Sequence, residues 1–399
     1  MIEKMKAKNK EVQVYTAQKS PHGFYWARSV SAARDLRGEK TKEEENEELT
    51  ARRTIIEFFT KNFGRDDLET EKSPTPSPRQ SSTLSPSDPQ QQPGDPRKQI
   101  NPRQREAVRK LRERTENGPV PPGLERREIQ VGQTEREYFI NIPQSCQGKP
   151  SPVVFVLHGG ATSSGIAMHL KTDFTKLGAS AGYVTVYPSG INGWNIGSHD
   201  MVSVQRRTSN ADDVGFFRAM FDELIEKKIA DPDRIYVVGG SNGGVMTQFL
   251  VCNLADRIAA AGVMVATLPR AAETKWPKPT KPVPMIVLLG TEDPMKPWSG
   301  NRDQMSAQET IAYWRKQNKC DSDGKQWDLP NKDPRDGCRI HAERWDGAAP
   351  VVFYTMQGHG HGWPMQRGRT GEDMGKGTND ISAPEEYWGF FDSLQKNAP

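Results

Sequence analysis

A serine in a glycine-rich segment has the sequence context of a nucleophile. Residues Arg234–Gly244 read Arg-Ile-Tyr-Val-Val-Gly-Gly-Ser-Asn-Gly-Gly, with Ser241 between glycines two positions away on either side. An apolar run, Ile235–Val238, comes before this serine, and an apolar-periodic stretch, Gly243–Leu254, comes after it. A tight turn from a strand into a helix exposes such a serine, and the small flanking residues avoid clashes between the two elements. The segment predicts that Ser241 attacks a carbonyl carbon.

A serine hydroxyl needs a general base and an acid that orients the base, and both are expected later in the chain. The apolar run Met285–Leu289 is followed by Gly-Thr-Glu-Asp, so Glu292 and Asp293 lie just past a strand end. The carboxyl ends of strands are where active sites of open α/β sheets are found. We favour Asp293 as the orienting acid.

Two histidines follow the next apolar run, Val351–Thr355, in the order Gln-Gly-His359-Gly-His361-Gly-Trp-Pro. One of them is predicted to take the Ser241 proton while Asp293 holds its other ring nitrogen. The local sequence does not choose between His359 and His361. A metal site at the His-x-His pair is the alternative, but the sequence offers no matching third ligand.

Backbone donors for a developing oxyanion are predicted from two segments. The N–H of Asn242, directly after the nucleophile, is the first donor. The predicted strand Val153–Leu157 runs into His-Gly-Gly-Ala-Thr, where Gly160 is the expected second donor. We predict that His158 holds this loop by hydrogen bonds and takes no part in catalysis.

Short apolar runs alternate with helical patterns from residue 128 onward, which favours an α/β fold with a mostly parallel central sheet flanked by helices. Alternation in the segment Tyr138–Ile142 predicts a further strand at the start of the domain. The runs read as strands are Val153–Leu157, Tyr183–Tyr187, Ile235–Val238, Gly262–Val265, Met285–Leu289 and Val351–Thr355, and the predicted helices are Asp213–Lys228, Gly243–Leu254 and Ser306–Asn318.

The chain divides by composition into a charged N-terminal extension, residues 1–122, and a catalytic domain, residues 123–399. The extension is predicted to be largely disordered or helical, because residues 73–96 are rich in serine, proline and glutamine and have nothing to bury. Amphipathic spacing predicts one helix over Glu45–Phe63, and a charged helix is expected over Asn101–Glu116.

Charge and hydropathy give no indication of nucleic-acid binding, of a membrane span or of a secretory signal. The formal net charge of +4 is too small to favour nucleic acid. No apolar run approaches the roughly 20 residues of a membrane-spanning helix. The basic first segment, Met1–Val14, lacks the apolar core of a secretory signal.

The four cysteines, Cys146, Cys252, Cys320 and Cys338, have the spacing of neither a zinc nor a redox motif. Cys320 and Cys338 bracket a polar loop, so a disulfide between them and a pair of free thiols are both open alternatives.

The chain resembles the polyhydroxybutyrate depolymerase and feruloyl esterase (LpqC-like) family of extracellular α/β-hydrolases over residues 125–365. The segments that carry the resemblance are Tyr138–Pro143, Leu157–Gly160, Tyr187–Pro188, Gly193–Asn195, Asp212–Phe216, Asp231–Gly244, Leu254–Asp256, Gly290–Asp293, Tyr313–Cys320 and Gly360–Pro364.

This resemblance implies an α/β-hydrolase fold and an extracellular location. Hydrolysis by a serine nucleophile with a histidine base is expected to require no cofactor or metal. The family pattern Gly-His-x-Trp-Pro maps onto His361, which selects it over His359 as the base. The chain departs from the family at Leu289, where histidine is frequent, and at Gly160, where cysteine is frequent.

Three tryptophans and an asparagine in loops near strand ends are candidates for contact with substrate. Trp194 and Trp363 are predicted to pack against a substrate ring or chain, and Asn195 to hydrogen-bond it. Packed structural tryptophans and a turn-closing asparagine are the alternatives; the two roles are balanced for Trp194, and the local sequence favours packing for Trp298 and Trp363. Asp213 is expected to cap the helix that starts at Val214.

Together these residues predict a serine carboxylic-ester hydrolase that acts through an acyl-enzyme on polyester or plant-polysaccharide esters, including polymeric substrates. A serine peptidase on the same fold is one alternative. A catalytically inactive binding protein is the other.

Overall fold

The computed structural model describes residues 109–110, 113–160, 162–197, 210–321, 323–365 and 374–396. The helix predicted over Glu45–Phe63 and the Ser/Pro/Gln-rich segment 73–96 lie outside these ranges. Of the helix predicted over Asn101–Glu116, the described residues 109–110 and 113–116 are helical.

One ten-stranded sheet organises the described chain, in the order β1-β2-β4-β3-β5-β6-β7-β10-β9-β8. The strands are β1 Glu125–Val131, β2 Thr134–Asn141, β3 Ser151–Leu157, β4 Val184–Pro188, β5 Ala230–Gly240, β6 Ala260–Met264, β7 Met285–Gly290, β8 Lys325–Asp328, β9 Arg339–Trp345 and β10 Val351–Gln357.

The six central strands, from β4 to β10 across the sheet, run parallel to one another. Strands β3, β4, β6 and β7 are buried along their whole length, because helices cover both faces. The predicted mostly parallel sheet is therefore confirmed, and each of the six predicted central strands is present.

From β1 onward, the described chain contains seven α-helices, six between strands and one after β10. They are α1 Ile166–Lys171, α2 Phe174–Ala181, α3 Asp213–Glu226, α4 Asn242–Leu254, α5 Ala272–Lys275, α6 Ala307–Gln317 and α7 Ala383–Lys396. Helix α6 begins with a capping box, in which the Ser306 hydroxyl accepts from the Glu309 N–H and the Glu309 carboxylate accepts from the Ser306 N–H.

The start of α3 differs from the sequence prediction by one residue. The Asp212 carboxylate, not that of Asp213, accepts the capping hydrogen bond from the Gly215 N–H. Asp213 is wrong as the cap because its side chain is buried and paired elsewhere, as described with the site below.

Strand β2 divides its side chains between two apolar cores, as its alternation predicts. Tyr138 and Ile140 lie in the core on one face of the sheet, and Phe139 lies in the core on the other face. Because side chains of a strand alternate between faces, a single strand contributes to both layers.

Both ends of the sheet are formed by antiparallel strands that the apolar pattern did not indicate. β1 pairs with β2 at one end, and β8 and β9 extend the sheet beyond β10 at the other. The sequence of β1 is Glu-Arg-Arg-Glu-Ile-Gln-Val and all four residues of β8 are exposed. Charged, exposed edge strands resist edge-to-edge association, and for the same reason they lack an apolar run.

The structure contradicts a disulfide between Cys320 and Cys338, because both are free thiols. Cys338 directly precedes β9, whereas the Cys320 thiol donates to the carbonyls of Trp345, at the far end of β9, and Ala349. A seven-residue strand separates the two thiols by about 20 Å, beyond the reach of a disulfide.

Within the described part of the chain, every helix is too short or too polar to cross a lipid bilayer.

Candidate active site

The turn between β5 and α4 holds Ser241 in strained backbone geometry. Its φ of 55° and ψ of −118° lie in a backbone region that residues other than glycine rarely adopt. A Cβ atom at Gly239 would lie 2.3 Å from the carbonyl oxygen of Gly243, and one at Gly243 would lie 2.5 Å from that of Leu157. Both glycines are therefore required by close backbone approach, as the sequence pattern predicts.

The turn is fixed to the sheet by a hydrogen bond from the Ser241 N–H to the carbonyl of Met264, the last residue of β6. β4 and β5 flank β3 on opposite sides, so the chain changes direction across the sheet next to this turn. Open α/β sheets bind ligands at such a switch point, at the carboxyl ends of the strands.

The structure brings His361 and Asp293 to Ser241 in a hydrogen-bonded chain. The His361 Nε2 atom lies 2.9 Å from the Ser241 Oγ atom, and its Nδ1 atom lies 2.7 Å from the Asp293 Oδ2 atom. Both His361 and Asp293 are 6% exposed. With the proton on Nδ1 donated to the carboxylate, Nε2 is free to accept the serine proton.

The other carboxylate oxygen of Asp293 is held by the backbone. The Met295 and Lys296 N–H groups each donate to Oδ1 at 2.8 Å. Glu292, the other acid considered from sequence, is exposed to solvent. Burial lowers the pKa of Lys296 to about 8, and the attraction of Asp293 opposes that shift.

His359 has a different set of partners. Its Nδ1 atom accepts from the Thr378 N–H, and its Nε2 atom pairs with the Gly362 carbonyl. It is fully buried, and both ring nitrogens are engaged by the backbone. The arrangement favours a structural role for His359 and gives no support to the metal alternative for the His-x-His pair. Within the described residues, no group of three or more His, Cys, Asp or Glu side chains has the arrangement of a metal site.

The two predicted oxyanion donors lie on segments that contact each other. A Cβ atom at Gly159 would lie 3.4 Å from the Cβ of Ser241, and one at Gly160 would lie 4.0 Å from the Cβ of Asn242. Asn242 is the first residue of α4, and the first N–H groups of a helix have no intrahelical acceptor. The helix dipole also favours negative charge at this position.

The structure places His158 as an anchor for the loop after β3, as predicted. Its Nε2 atom accepts from the Gly190 N–H at 2.9 Å, and its Nδ1 atom lies 2.9 Å from the Gly159 carbonyl. The ring is fully buried and stacks on Trp194 with centroids 4.5 Å apart. Burial lowers the pKa of His158 to about 4, so the imidazole is neutral in the folded protein at neutral pH.

This neutral histidine predicts a loss of stability in acid. In the unfolded chain a histidine has a pKa of about 6.5, so between pH 6.5 and about 4 only the unfolded state binds the proton. The free energy of unfolding therefore falls as the pH falls through this window. Denaturant unfolding at pH 7 and pH 4.5 should show a drop in the wild type that exceeds the drop in His158→Gln by about 2 kcal/mol. Parallel losses in the two proteins would contradict the assignment.

Trp194 and Asn195 are packed within the protein. Trp194 is 1% exposed, and its Nε1 donates to the His158 carbonyl. The Asn195 amide donates to the Ala211 carbonyl and accepts from the Gly197 N–H, which closes a turn. The burial of Trp194 and the internal hydrogen bonds of Asn195 favour the structural alternatives for both side chains, a packed tryptophan and a turn-closing asparagine.

Trp363 lies against the nucleophile turn with little surface free. It is 6% exposed and packs edge-on to Phe174 and Tyr387. A Cβ atom at Gly240 would lie 2.7 Å from its Nε1 atom. The predicted contact of Trp363 with substrate is at odds with this packing, which supports the turn. Trp298 stacks on Phe353, in agreement with the favoured packing role.

A buried ion pair behind Trp194 was missed from the sequence. Arg136 of β2 donates to the Asp213 carboxylate at 2.6 Å, and both side chains are at most 1% exposed. Asp213 also accepts from the Asn195 N–H, and the Trp194 N–H donates to the Asn242 side chain. The pair thus connects β2 to the loop beside the nucleophile. The one indication of this pair in the sequence is a charged residue, Arg136, two positions before Tyr138 and therefore on the same inward face of the strand.

Comparison with known proteins identifies the fold. The sequence matches the model of the prolyl oligopeptidase family over residues 169–270, which includes Ser241 and ends before Asp293 and His361. The family match, the strand order and the serine turn between β5 and α4 all indicate the same fold. The chain has the α/β-hydrolase fold. An acetyl xylan esterase from Aspergillus awamori is similar in structure, with 18% identity, a TM-score of 0.45 and coverage of 67% of this chain and 99% of the esterase.

Curated relatives of this α/β-hydrolase include esterases. A feruloyl esterase B of Piromyces equi is 27% identical over 57% of this chain and 42% of its own length. The putative esterase NocK of Nocardia uniformis subsp. tsuyamanensis is 27% identical over 60% of this chain and 73% of its own. The acylamino-acid-releasing enzyme of Arabidopsis thaliana is 32% identical over 29% of this chain and 14% of its own. The chain thus spans less than half the length of the feruloyl esterase. These similarities support a hydrolase.

Proposed function

We propose that this α/β-hydrolase is a serine carboxylic-ester hydrolase that acts through an acyl-enzyme. The observation that carries the proposal is the buried chain of hydrogen bonds from Ser241 through His361 to Asp293, with distances of 2.9 and 2.7 Å. A hydroxyl, an imidazole and a carboxylate in this order are the elements of nucleophilic catalysis on carbonyl compounds.

In the proposed reaction the Ser241 oxygen attacks the ester carbon while His361 takes the serine proton. The negative charge on the carbonyl oxygen is stabilised by the backbone N–H groups of Asn242 and Gly160. His361 then gives the proton to the leaving alcohol, which leaves an acyl group on Ser241. A water molecule, deprotonated by His361, attacks this acyl group, and collapse of the second tetrahedral intermediate returns the proton to Ser241. Asp293 stays ionised and orients the imidazole throughout.

For the substrate, we propose an ester of a plant polysaccharide, feruloyl or acetyl. Relatives named feruloyl esterase B, from Piromyces equi and from Talaromyces stipitatus, and acetylxylan esterase A, from Emericella nidulans, support this class. A polyester related to polyhydroxybutyrate is the other ester substrate consistent with the sequence motifs. Residues 123–399 are the proposed catalytic domain.

A serine peptidase is the second candidate function. The match to the prolyl oligopeptidase family and the similarity to an acylamino-acid-releasing enzyme favour it. The same three side chains serve either reaction, because peptide and ester hydrolysis pass through the same kind of tetrahedral intermediate.

Parallel assays of esters and amides test the proposal. We expect the protein to hydrolyse p-nitrophenyl acetate, p-nitrophenyl butyrate and methyl ferulate with a clearly higher kcat/KM than peptide p-nitroanilides, because an ester carbonyl is more electrophilic than an amide carbonyl. Comparable turnover of anilides would favour the peptidase. Failure to turn over any of these compounds, together with failure to react with a fluorophosphonate probe, would support the inactive binding protein. Acetylated xylan and polyhydroxybutyrate film, assayed side by side, separate the two ester classes.

A further inference from the structure

Two residues that precede the sheet, Thr115 and Glu116, contact the loop that follows β3. We call this the β3 loop and define it by its described residues, 158–160 and 162–164. We infer that Thr115 and Glu116 are positioning residues, which hold the β3 loop so that the Gly160 N–H meets the oxyanion. This inference rests on the proposed function. Both residues lie in the segment that composition assigns to the N-terminal extension, outside the resemblance.

The contact of Thr115 is buried. Its Oγ1 atom lies 3.3 Å from the Oγ1 atom of Thr162, and the two residues are 2% and 4% exposed. Buried hydroxyl groups that lose a partner cost about 1–3 kcal/mol, so the pair favours one arrangement of the two segments. Thr162 is two positions beyond Gly160, so this contact acts close to the predicted oxyanion donor.

Glu116 adds a second contact at the next residue of the loop. Its Oε1 atom accepts from the Ser163 N–H at 3.3 Å and from the Thr162 hydroxyl at 3.5 Å. The Thr162 hydroxyl also accepts from the Ser164 N–H at 3.1 Å, which shapes the turn. One threonine of the β3 loop is therefore linked both to the preceding segment and to its own turn.

The other end of the β3 loop is anchored independently. His158 accepts from the Gly190 N–H, and its ring stacks on Trp194. Gly160 lies between this anchor and the contacts of Thr115 and Glu116. Directly after the loop, the Gly165 N–H donates to the Ser189 hydroxyl at 3.1 Å. Thr115 and Glu116 therefore supply the contacts closest to Gly160 on that side of the loop.

Such anchoring matters because an oxyanion donor acts only in a narrow range of positions. Functional groups must be held within about 0.5 Å of the productive geometry. Loss of one donor costs about 10²–10³-fold in kcat, and a displaced donor costs part of that. Because the oxyanion forms in the transition state, the effect falls on kcat, and KM is largely spared.

The decisive variant is Thr115→Val in the full chain, which keeps the shape of the side chain and removes its hydroxyl. We expect kcat for p-nitrophenyl butyrate to fall by about 5- to 50-fold, with KM within about 2-fold of wild type. Thr115→Ser keeps a hydroxyl and should restore most of kcat. Arg114→Gln changes an exposed neighbour in the same segment and should match wild type.

A binding measurement separates positioning from general destabilisation. Phenylboronic acid forms a tetrahedral adduct with an active serine and places an oxygen where the oxyanion would be. Its affinity should fall in Thr115→Val by about the same factor as kcat, because both depend on the Gly160 donor. A variant that only unfolds more easily would instead lose active protein, with kcat per labelled site and boronate affinity unchanged.

Glu116 provides an independent pair of variants at an exposed side chain, should Thr115→Val fail to fold. Glu116→Ala should lower kcat and boronate affinity together, and Glu116→Gln, which keeps an acceptor oxygen, should restore both.

Wild-type kcat and boronate affinity in Thr115→Val, or in Glu116→Ala if the valine variant does not fold, would overturn the inference. That result leaves the proposed function intact, provided that esterase activity requires Ser241. Wild-type activity that is independent of Ser241 would instead overturn the proposed function.

Discussion

Replacement of Ser241 with alanine is expected to lower kcat for p-nitrophenyl butyrate by about 10⁴- to 10⁶-fold. The variant removes the oxygen that attacks the ester carbon, while His361, Asp293 and the backbone donors stay in place. Residual hydrolysis above the rate in water comes from those remaining groups. Steady-state kinetics measures the loss.

Two further measurements make the Ser241→Ala result specific. A fluorophosphonate probe should label the wild type at a single serine and leave the alanine variant unlabelled. The midpoint of thermal unfolding should stay near that of wild type or rise, because alanine removes a polar group without creating a large cavity. Ser180→Ala, at an exposed serine of α2, should be labelled and active as in wild type. Equal labelling of Ser241→Ala and wild type would show that another residue is the nucleophile.

The central part of the fold was predictable because buried parallel strands need continuous apolar sequence. β3 is apolar after Ser151 and β7 along its whole length, and the predicted runs match these strands. The outer strands β1, β8 and β9 carry charged residues and are stabilised by pairing with neighbouring strands. Local sequence does not indicate this pairing. Tertiary context therefore decides the two ends of the sheet.

The residues of the candidate site were also only partly predictable from local sequence. Ser241 and Asp293 were indicated by their places just after strands, since the carboxyl ends of parallel strands meet at one edge. The choice of His361 over His359 came from the family resemblance, because both histidines follow the same strand. The structure separates them by their partners: Ser241 and Asp293 for His361, backbone groups for His359.

Long-range contacts account for what the sequence could not supply. Arg136 and Asp213 are 77 residues apart, and Thr115 and Thr162 are 47 apart. No periodicity or motif links such pairs. Loop tryptophans were also ambiguous, since an aromatic ring near a strand end serves equally to bind a substrate or to pack. Burial of Trp194 and Trp363 favours packing.

Replacement of Asp293 with asparagine should cost about 10⁴-fold in kcat, although the two side chains have almost the same shape. The reason lies in the two backbone N–H groups, of Met295 and Lys296, that donate to Oδ1. They require an acceptor there, so the asparagine oxygen takes that place and its NH₂ group turns toward His361.

That NH₂ group reverses the tautomer of the imidazole. It donates to the Nδ1 atom of His361, which must then be unprotonated, and the ring proton moves to Nε2. A protonated Nε2 donates to the Ser241 oxygen instead of accepting its proton, so the serine is no longer activated. Asp293→Asn should therefore fold normally, with a thermal unfolding midpoint close to wild type, yet react with fluorophosphonate slower by about the same factor as kcat. Glu292→Gln, at the exposed neighbouring acid, should keep full activity. An active Asp293→Asn variant would mean that the carboxylate does not set the orientation of the base, and that Ser241 is activated by other means.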